Sequence, residues 1–144
     1  MNLRRVDPAA YQAMGALETY GKAAGLNPVL RNLLKIRASQ INGCAYCVDL
    51  HIREALEAGE NPRRLHTVVV WKESPFFTEE EKALLALTEE VTLIQGRVSD
   101  RTWAEALEFW DEKTLAAILM AIITINAWNR IGVATEMAPE RGPS

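Results

Sequence analysis

The sequence predicts an all-α fold, a compact bundle of about six or seven helices. Apolar residues recur at the spacing of a helix face from one end of the chain to the other. Helix start and stop residues stand between these runs, and no stretch alternates apolar and polar residues as a half-buried strand would.

Pro8, after Asp7, opens the first expected helix, which closes at Gly25 and offers Tyr11, Met14, Leu17 and Ala24 to one face. Asn27-Pro28 opens the second. It carries Val29, Leu30, Leu33, Leu34 and Ile41 and is closed by Asn42-Gly43, residues that tolerate the left-handed conformation of a helix end. A third fits from Cys44 to Ala58, with Val48, Ile52 and Leu56 spaced for burial and Gly59 as terminator. Asn61-Pro62 caps a short fourth that reaches about Val70, and Ser74-Pro75 then breaks the chain. Thr78-Glu79-Glu80-Glu81 is a capping box for a fifth, through about Leu93, whose stripe is Leu84, Leu85, Leu87, Val91 and Ile94, with Gly96 beyond. Ser99 or Asp100 starts a short sixth containing Trp103 and Ala106. Asp111 caps a long last helix, through about Val133, that is apolar on several faces at Leu115, Ile118, Leu119, Ile122, Ile123 and Ile125. A helix so apolar is expected at the centre, in the core or against another subunit. The tail from about residue 137 lacks apolar content and is expected to be mobile. With no repeat and no linker, residues 1–144 are expected to form a single domain.

The 144 residues are 49% hydrophobic and 24% charged, enough apolar material for one core. Sixteen Lys and Arg against nineteen Asp and Glu leave a net charge of −3, so no basic excess is available for a phosphate backbone and nucleic-acid binding is not expected. The longest apolar stretch, Leu115 to Ile125, is interrupted by Thr124 and falls short of the roughly 20 residues of a membrane span, so no membrane partner is expected. Arg4 and Arg5 are followed by Pro8 and a mixed polar run rather than an apolar leader, which points to a cytoplasmic protein. Two cysteines are too few for a disulfide framework, and in a reducing compartment the pair Cys44-Ala45-Tyr46-Cys47 is where chemistry is to be sought.

On a helix Cys44, Cys47 and His51 fall within about 60° of one another, so one face presents all three side chains. Cys47 and His51 are four apart, a spacing at which an imidazole can take the thiol proton. Cys44 stands at the helix start, where unpaired N–H groups favour an anionic sulfur, and the separation of the thiols lets them close a disulfide. Zinc is hard to reconcile with this column even with His66 as a further ligand, because Cys44 and His51 are separated by about 10 Å of helical rise. A thioredoxin-like domain needs a βαβ setting that the sequence lacks.

The stretch Ile36-Arg37-Ala38-Ser39-Gln40-Ile41-Asn42-Gly43-Cys44-Ala45-Tyr46-Cys47-Val48-Asp49-Leu50-His51 resembles the alkylhydroperoxidase D-like (AhpD-like) proteins of the carboxymuconolactone decarboxylase superfamily. Supporting stretches are Glu54-Ala55 to Ala58-Gly59-Glu60, Trp71-Lys72-Glu73-Ser74-Pro75-Phe76-Phe77, Glu81-Lys82-Ala83 to Glu89, and Asn126-Ala127-Trp128-Asn129-Arg130. The resemblance implies an all-helical subunit, a homo-oligomer of the trimer or hexamer type, and a peroxidase or disulfide-reductase activity in antioxidant defence. Cys47 matches the peroxidatic thiol, Cys44 the resolving thiol and His51 the histidine of the proton relay. The implied substrate is an organic hydroperoxide or hydrogen peroxide. No metal, haem or other cofactor is implied, only an external dithiol, either a donor protein or a lipoyl-type reductant. Two positions depart from the best-studied branch: Asn32 stands where a relay glutamate is usual, and Tyr46 where a histidine lies between the cysteines. Glu89 and Glu18 are the carboxylates considered as replacements. Two other functions stay open, a disulfide-based redox sensor or assembly protein with little turnover, and a lactone decarboxylase, which would not need the cysteine pair.

Asn126 to Arg130 places polar groups inside the most apolar helix, as a site wall, a subunit contact or an internal cap for loop backbone. Trp71, Trp103 and Phe109 read as core or interface aromatics, and His66 as a structural or exposed residue.

Overall fold

Short polar side chains start the helices by accepting backbone N–H groups that have no partner in a first turn. A computed structural model, which describes residues 1–141, gives eight such helices and no strand among the described residues. They are α1 (Leu3–Val6), α2 (Pro8–Ala23), α3 (Pro28–Asn42), α4 (Ala45–Glu57), α5 (Pro62–Thr67), α6 (Glu79–Thr92), α7 (Asp100–Leu107) and α8 (Glu112–Ala134). Asp7, Asn27, Asn61, Ser99 and Asp111 each cap the helix that follows. Thr78 and Glu81 form the reciprocal capping box of α6. The fold is all-α, as its sequence predicts.

Two local features differ from the expectation. The chain before Pro8 holds the four-residue α1, started by the Asn2 side chain, which accepts from Arg5 N. The fourth expected helix stops at Thr67, and a 3-10 segment, Val68–Glu73, replaces its end. Three successive β-branched valines occupy that segment, and Val70 leaves helical geometry at φ −122° and ψ 33°. The last described residues, 137–141, have no regular structure, and residues 142–144 of the expected tail lie outside the described residues.

α3 is the central strut and packs on α4, α6 and α8. Leu34 and Ile36 of α3, Leu84 and Leu87 of α6 and Ile118 and Ile122 of α8 have no solvent exposure. Each such side chain contributes about 1.5–3 kcal/mol by leaving water. By length and composition α8 passes for a membrane span, with a mean hydropathy of 1.5 over its most apolar window. Its position is that of a core helix, in contact with α2, α3, α4, α6 and α7.

Arg64 of α5 bonds Glu81 and the carbonyl of Phe76, which fixes α5 and the 3-10 segment against the start of α6. The hydrogen bond to Glu81 holds this guanidinium above its ordinary range. None of these residues lines either depression beside the cysteines, and the network serves the fold.

Candidate active site

The turn between α3 and α4 places the cysteines. Gly43 adopts φ 68°, a conformation open to glycine, and its N–H donates to Gln40 O while the Cys44 N–H donates to Ser39 O. This pair of bonds is a Schellman closure of α3, and it leaves Cys44 as the residue that caps α4. The Cys47 N–H lies 3.3 Å from Cys44 Sγ. The two cysteines are joined as a disulfide with Cα atoms 5.3 Å apart, and both are buried.

A polar clasp holds this turn against α8. Asn42 Nδ2 donates to Asn126 Oδ1 and to Asn129 Oδ1, each at 2.9 Å, and Asn129 Nδ2 donates to Ser39 Oγ at 2.9 Å. Asn126 also donates to Thr92 Oγ1 of α6 at 3.0 Å. The asparagines of α8 therefore join helix to helix through side chains and do not cap loop backbone. One turn further along α8, Gly132 lies against the disulfide. A Cβ built there would stand 2.8 Å from Cys44 Sγ and 3.5 Å from Cys47 Sγ, so α8 can come this close only where a side chain is missing.

His51 follows Cys47 by one turn of α4 and is buried. Its Nδ1 lies 2.8 Å from Glu54 Oε2. The hydrogen bond from His51 holds the Glu54 carboxyl below its ordinary range, and the charges of Lys35 and Lys22 act in the same direction. An ionised Glu54 can only accept, so it fixes the imidazole proton on Nδ1 and leaves Nε2 to exchange a proton.

The structure thus bonds Cys44 to Cys47, sets Cys47 and His51 on one cavity wall, and supplies beside His51 a carboxylate that the sequence reading passes over. Glu54 is three residues from His51 on the same helix, and that spacing was the available signal. Neither carboxylate considered from sequence takes this place. Glu89 is held by Trp71 Nε1 at 2.7 Å, Arg37 Nε at 2.9 Å and Lys72 Nζ at 3.1 Å. Burial pushes its carboxyl up, but the bonds from Trp71, Lys72 and Arg37 outweigh this and hold it below its ordinary range. Glu18 is bound at both oxygens by Lys35, at 2.9 and 3.1 Å. Arg37 and Lys35 have claimed these two acids.

A cavity of about 720 Å³ opens onto the site between α2, α3, α4, α8 and the N-terminal residues. Cys47, His51 and Glu54 line it, together with Asn32 and Tyr46, the two positions that depart from the best-studied branch. Cys44 does not; it borders a separate surface depression with Ser39, Gln40 and Asp49. His66 is exposed on α5, and no three His, Cys, Asp or Glu side chains among the described residues converge as a metal-binding group. Trp71 is buried, Trp103 packs half-buried against the core, and Phe109 is 41% exposed.

Comparison with known proteins shows the family. Residues 8–90 match the carboxymuconolactone decarboxylase family. The chain is 39% identical over 130 residues to the uncharacterized protein YdfG of Bacillus subtilis (strain 168), covering 90% of this chain and 88% of that one. It superimposes with a TM-score of 0.95 and 36% identity on a crystal structure from Agrobacterium tumefaciens, over 98% of both chains. That protein is described as of unknown function, with antioxidant defence of the AhpD type as its suggested role. A peroxidase-related protein from Silicibacter sp. TM1040, at 17% identity, shares the fold with a TM-score of 0.76 over 88% of this chain and 69% of that one. The helical fold, the cysteine pair on α4 and these relatives together make the chain an AhpD-like member of the carboxymuconolactone decarboxylase family.

Proposed function

We propose that the protein is a thiol-dependent hydroperoxide reductase in which Cys47 meets the peroxide, Cys44 resolves the product and His51 moves the proton. The observation that carries this reading is the division of the two sulfurs: Cys47 and His51 line the large cavity, while Cys44 borders a separate depression.

In the reduced protein His51 Nε2 accepts the Cys47 thiol proton, and the thiolate is favoured further by its place in the first turn of α4. The thiolate attacks one peroxide oxygen, the O–O bond breaks, and the alkoxide takes the proton from His51. ROOH and the thiol thus become ROH and the Cys47 sulfenic acid. The Cys44 thiol then displaces water from that sulfenic acid and the disulfide forms. An external dithiol, from a donor protein or a lipoyl-type group, returns both cysteines to thiols and becomes a disulfide itself. The sum is ROOH + R(SH)2 giving ROH + H2O + RS2, two electrons passing from dithiol to peroxide with no metal or haem in the cycle. Glu54 acts through His51 as a positioning residue, as carboxylates behind histidines do elsewhere.

The same reading includes a cytoplasmic location and a homo-oligomer. Supporting the oligomer, Ile123 and Val133 of α8 are 43% and 50% exposed, apolar surface that a second copy would cover. The test is steady-state consumption of tert-butyl hydroperoxide coupled to candidate dithiols, run beside Cys44→Ser and Cys47→Ser. Turnover lost in both variants is expected. A disulfide that cycles without measurable turnover would favour a redox sensor, and activity on a lactone that survives both substitutions would favour the decarboxylase.

A further inference from the structure

The cavity above Cys47 is far larger than hydrogen peroxide needs. At about 720 Å³ it is over twenty times the roughly 30 Å³ that a water molecule occupies in the liquid. It falls within the range of sites that enclose drug-sized organic ligands. Its walls are mainly apolar, with Leu3, Tyr11, Leu50, Trp128 and Ile131 among them.

Charge is distributed unevenly around this apolar interior. Of the acids that line it, Glu18 is paired with Lys35 and Glu54 with His51, which leaves Glu136 as the unpaired one. Three lining cations, Arg4, Lys22 and Arg31, form no ion pair among the described residues. Arg4 and Lys22 are exposed, and Arg4 lies over the Tyr11 ring at 5.8 Å. Arg31 is half-buried on α3, one turn before Lys35, and its neighbour on the cavity wall, Asn32, is an amide that offers no compensating charge. A partly desolvated guanidinium with no anion beside it is a ready partner for a carboxylate, which it can bind through two parallel hydrogen bonds.

We propose that the substrate is an amphipathic hydroperoxide with an anionic end, of the fatty-acid hydroperoxide class, and that Arg31 is the residue that selects it. The apolar chain occupies the cavity, the carboxylate meets Arg31, and the peroxide group is presented to Cys47. This assignment rests on the function proposed above and adds its substrate class.

Two measurements test it. The first uses the oxidised protein, in which no turnover is possible, and calorimetric titration with decanoate and with decanol. Decanoate is expected to bind roughly tenfold more tightly than decanol, the value of one charge-assisted contact, with the difference lost in Arg31→Gln and partly restored in Arg31→Lys. The second compares kcat/KM for 13-hydroperoxyoctadecadienoate and its methyl ester. The acid is expected to be favoured by a similar factor, with Arg31→Gln bringing the acid-to-ester ratio close to one. Equal use of acid and ester by a protein that does reduce tert-butyl hydroperoxide overturns the substrate assignment and leaves the proposed function standing. Decanoate and decanol binding equally, or neutral lipoamide occupying the cavity where decanoate does not, overturns it as well. If no hydroperoxide converts Cys47, the proposed function and the substrate assignment fall together.

Discussion

Replacing Asn129 by alanine removes the centre of the clasp that holds the cysteine turn. Asn129 is fully buried, donates to Ser39 Oγ and accepts from Asn42 Nδ2, both at 2.9 Å. Its partners keep other bonds: Ser39 Oγ still donates to Lys35 O at 2.7 Å, and Asn42 Nδ2 still donates to Asn126 Oδ1. No polar atom is wholly orphaned, so the cost is two buried hydrogen bonds and a small cavity, together about 2–3 kcal/mol. For a chain of this size that lowers Tm by roughly 5–10 °C. Asn126→Ala is the internal comparison. That residue is half-buried, water can replace the lost partners, and about 1 kcal/mol or less is expected. Urea unfolding of the reduced proteins gives both values from the midpoints, provided the slopes match the parent. An Asn129→Ala loss below about 1 kcal/mol, or one no larger than that of Asn126→Ala, would refute the argument that the clasp is a buried structural tie.

Three further outcomes follow from named contacts. Glu54→Gln removes the carboxylate that sets the His51 tautomer, so alkylation of reduced Cys47 near neutral pH is expected to slow by about tenfold, and Glu54→Asp to recover part of it. Glu89→Gln leaves Arg37 and Lys72 without their anion and is expected to cost about 1–3 kcal/mol of stability while leaving Cys47 reactivity unchanged. Because the Glu89 carboxyl lies below its ordinary range in the folded protein, its contribution is complete above that range and is lost as pH falls through the folded value. The stability gap between the parent and Glu89→Gln should therefore shrink on acidification and stay constant from pH 6 to 8. Gly132→Ala sets a methyl group against both sulfurs, so the oxidised protein is expected to lose about 1–3 kcal/mol relative to the reduced one, read as a disulfide that dithiothreitol reduces more readily.

Local chemistry made most of the fold legible. Asp7, Asn27, Asn61, Thr78, Ser99 and Asp111 each start a helix because a short polar side chain satisfies the first turn, and that requires nothing from the rest of the molecule. Val68–Glu73 was less accessible, since its tight 3-10 turn depends on where Val68 and Trp71 are buried and on the bond between Trp71 and Glu89. In the site, Cys47 and His51 stand one turn apart on α4 and line one cavity, as helical spacing predicts, whereas Cys44 is the cap before the first turn and borders a different depression, so the three do not share one face. The carboxylate could not be chosen that way. Glu18 and Glu89 are excluded by Lys35 and Arg37, partners separated from them by 17 and 52 positions, and such pairings are tertiary facts. Gly132 was equally silent, because a glycine inside a helix carries no sign of the sulfur atoms packed against it.

The proposed chemistry requires Cys47 to be the thiol that meets the peroxide. The most direct measurement is mass spectrometry of the reduced parent, Cys44→Ser and Cys47→Ser after one equivalent of hydroperoxide, with dimedone present to trap sulfenic acid. The parent should lose two hydrogens and give a Cys44 to Cys47 disulfide peptide, Cys44→Ser should carry dimedone on Cys47, and Cys47→Ser should remain unlabelled. Two free thiols in the parent, or dimedone on Cys44 in the Cys47→Ser protein, would contradict it.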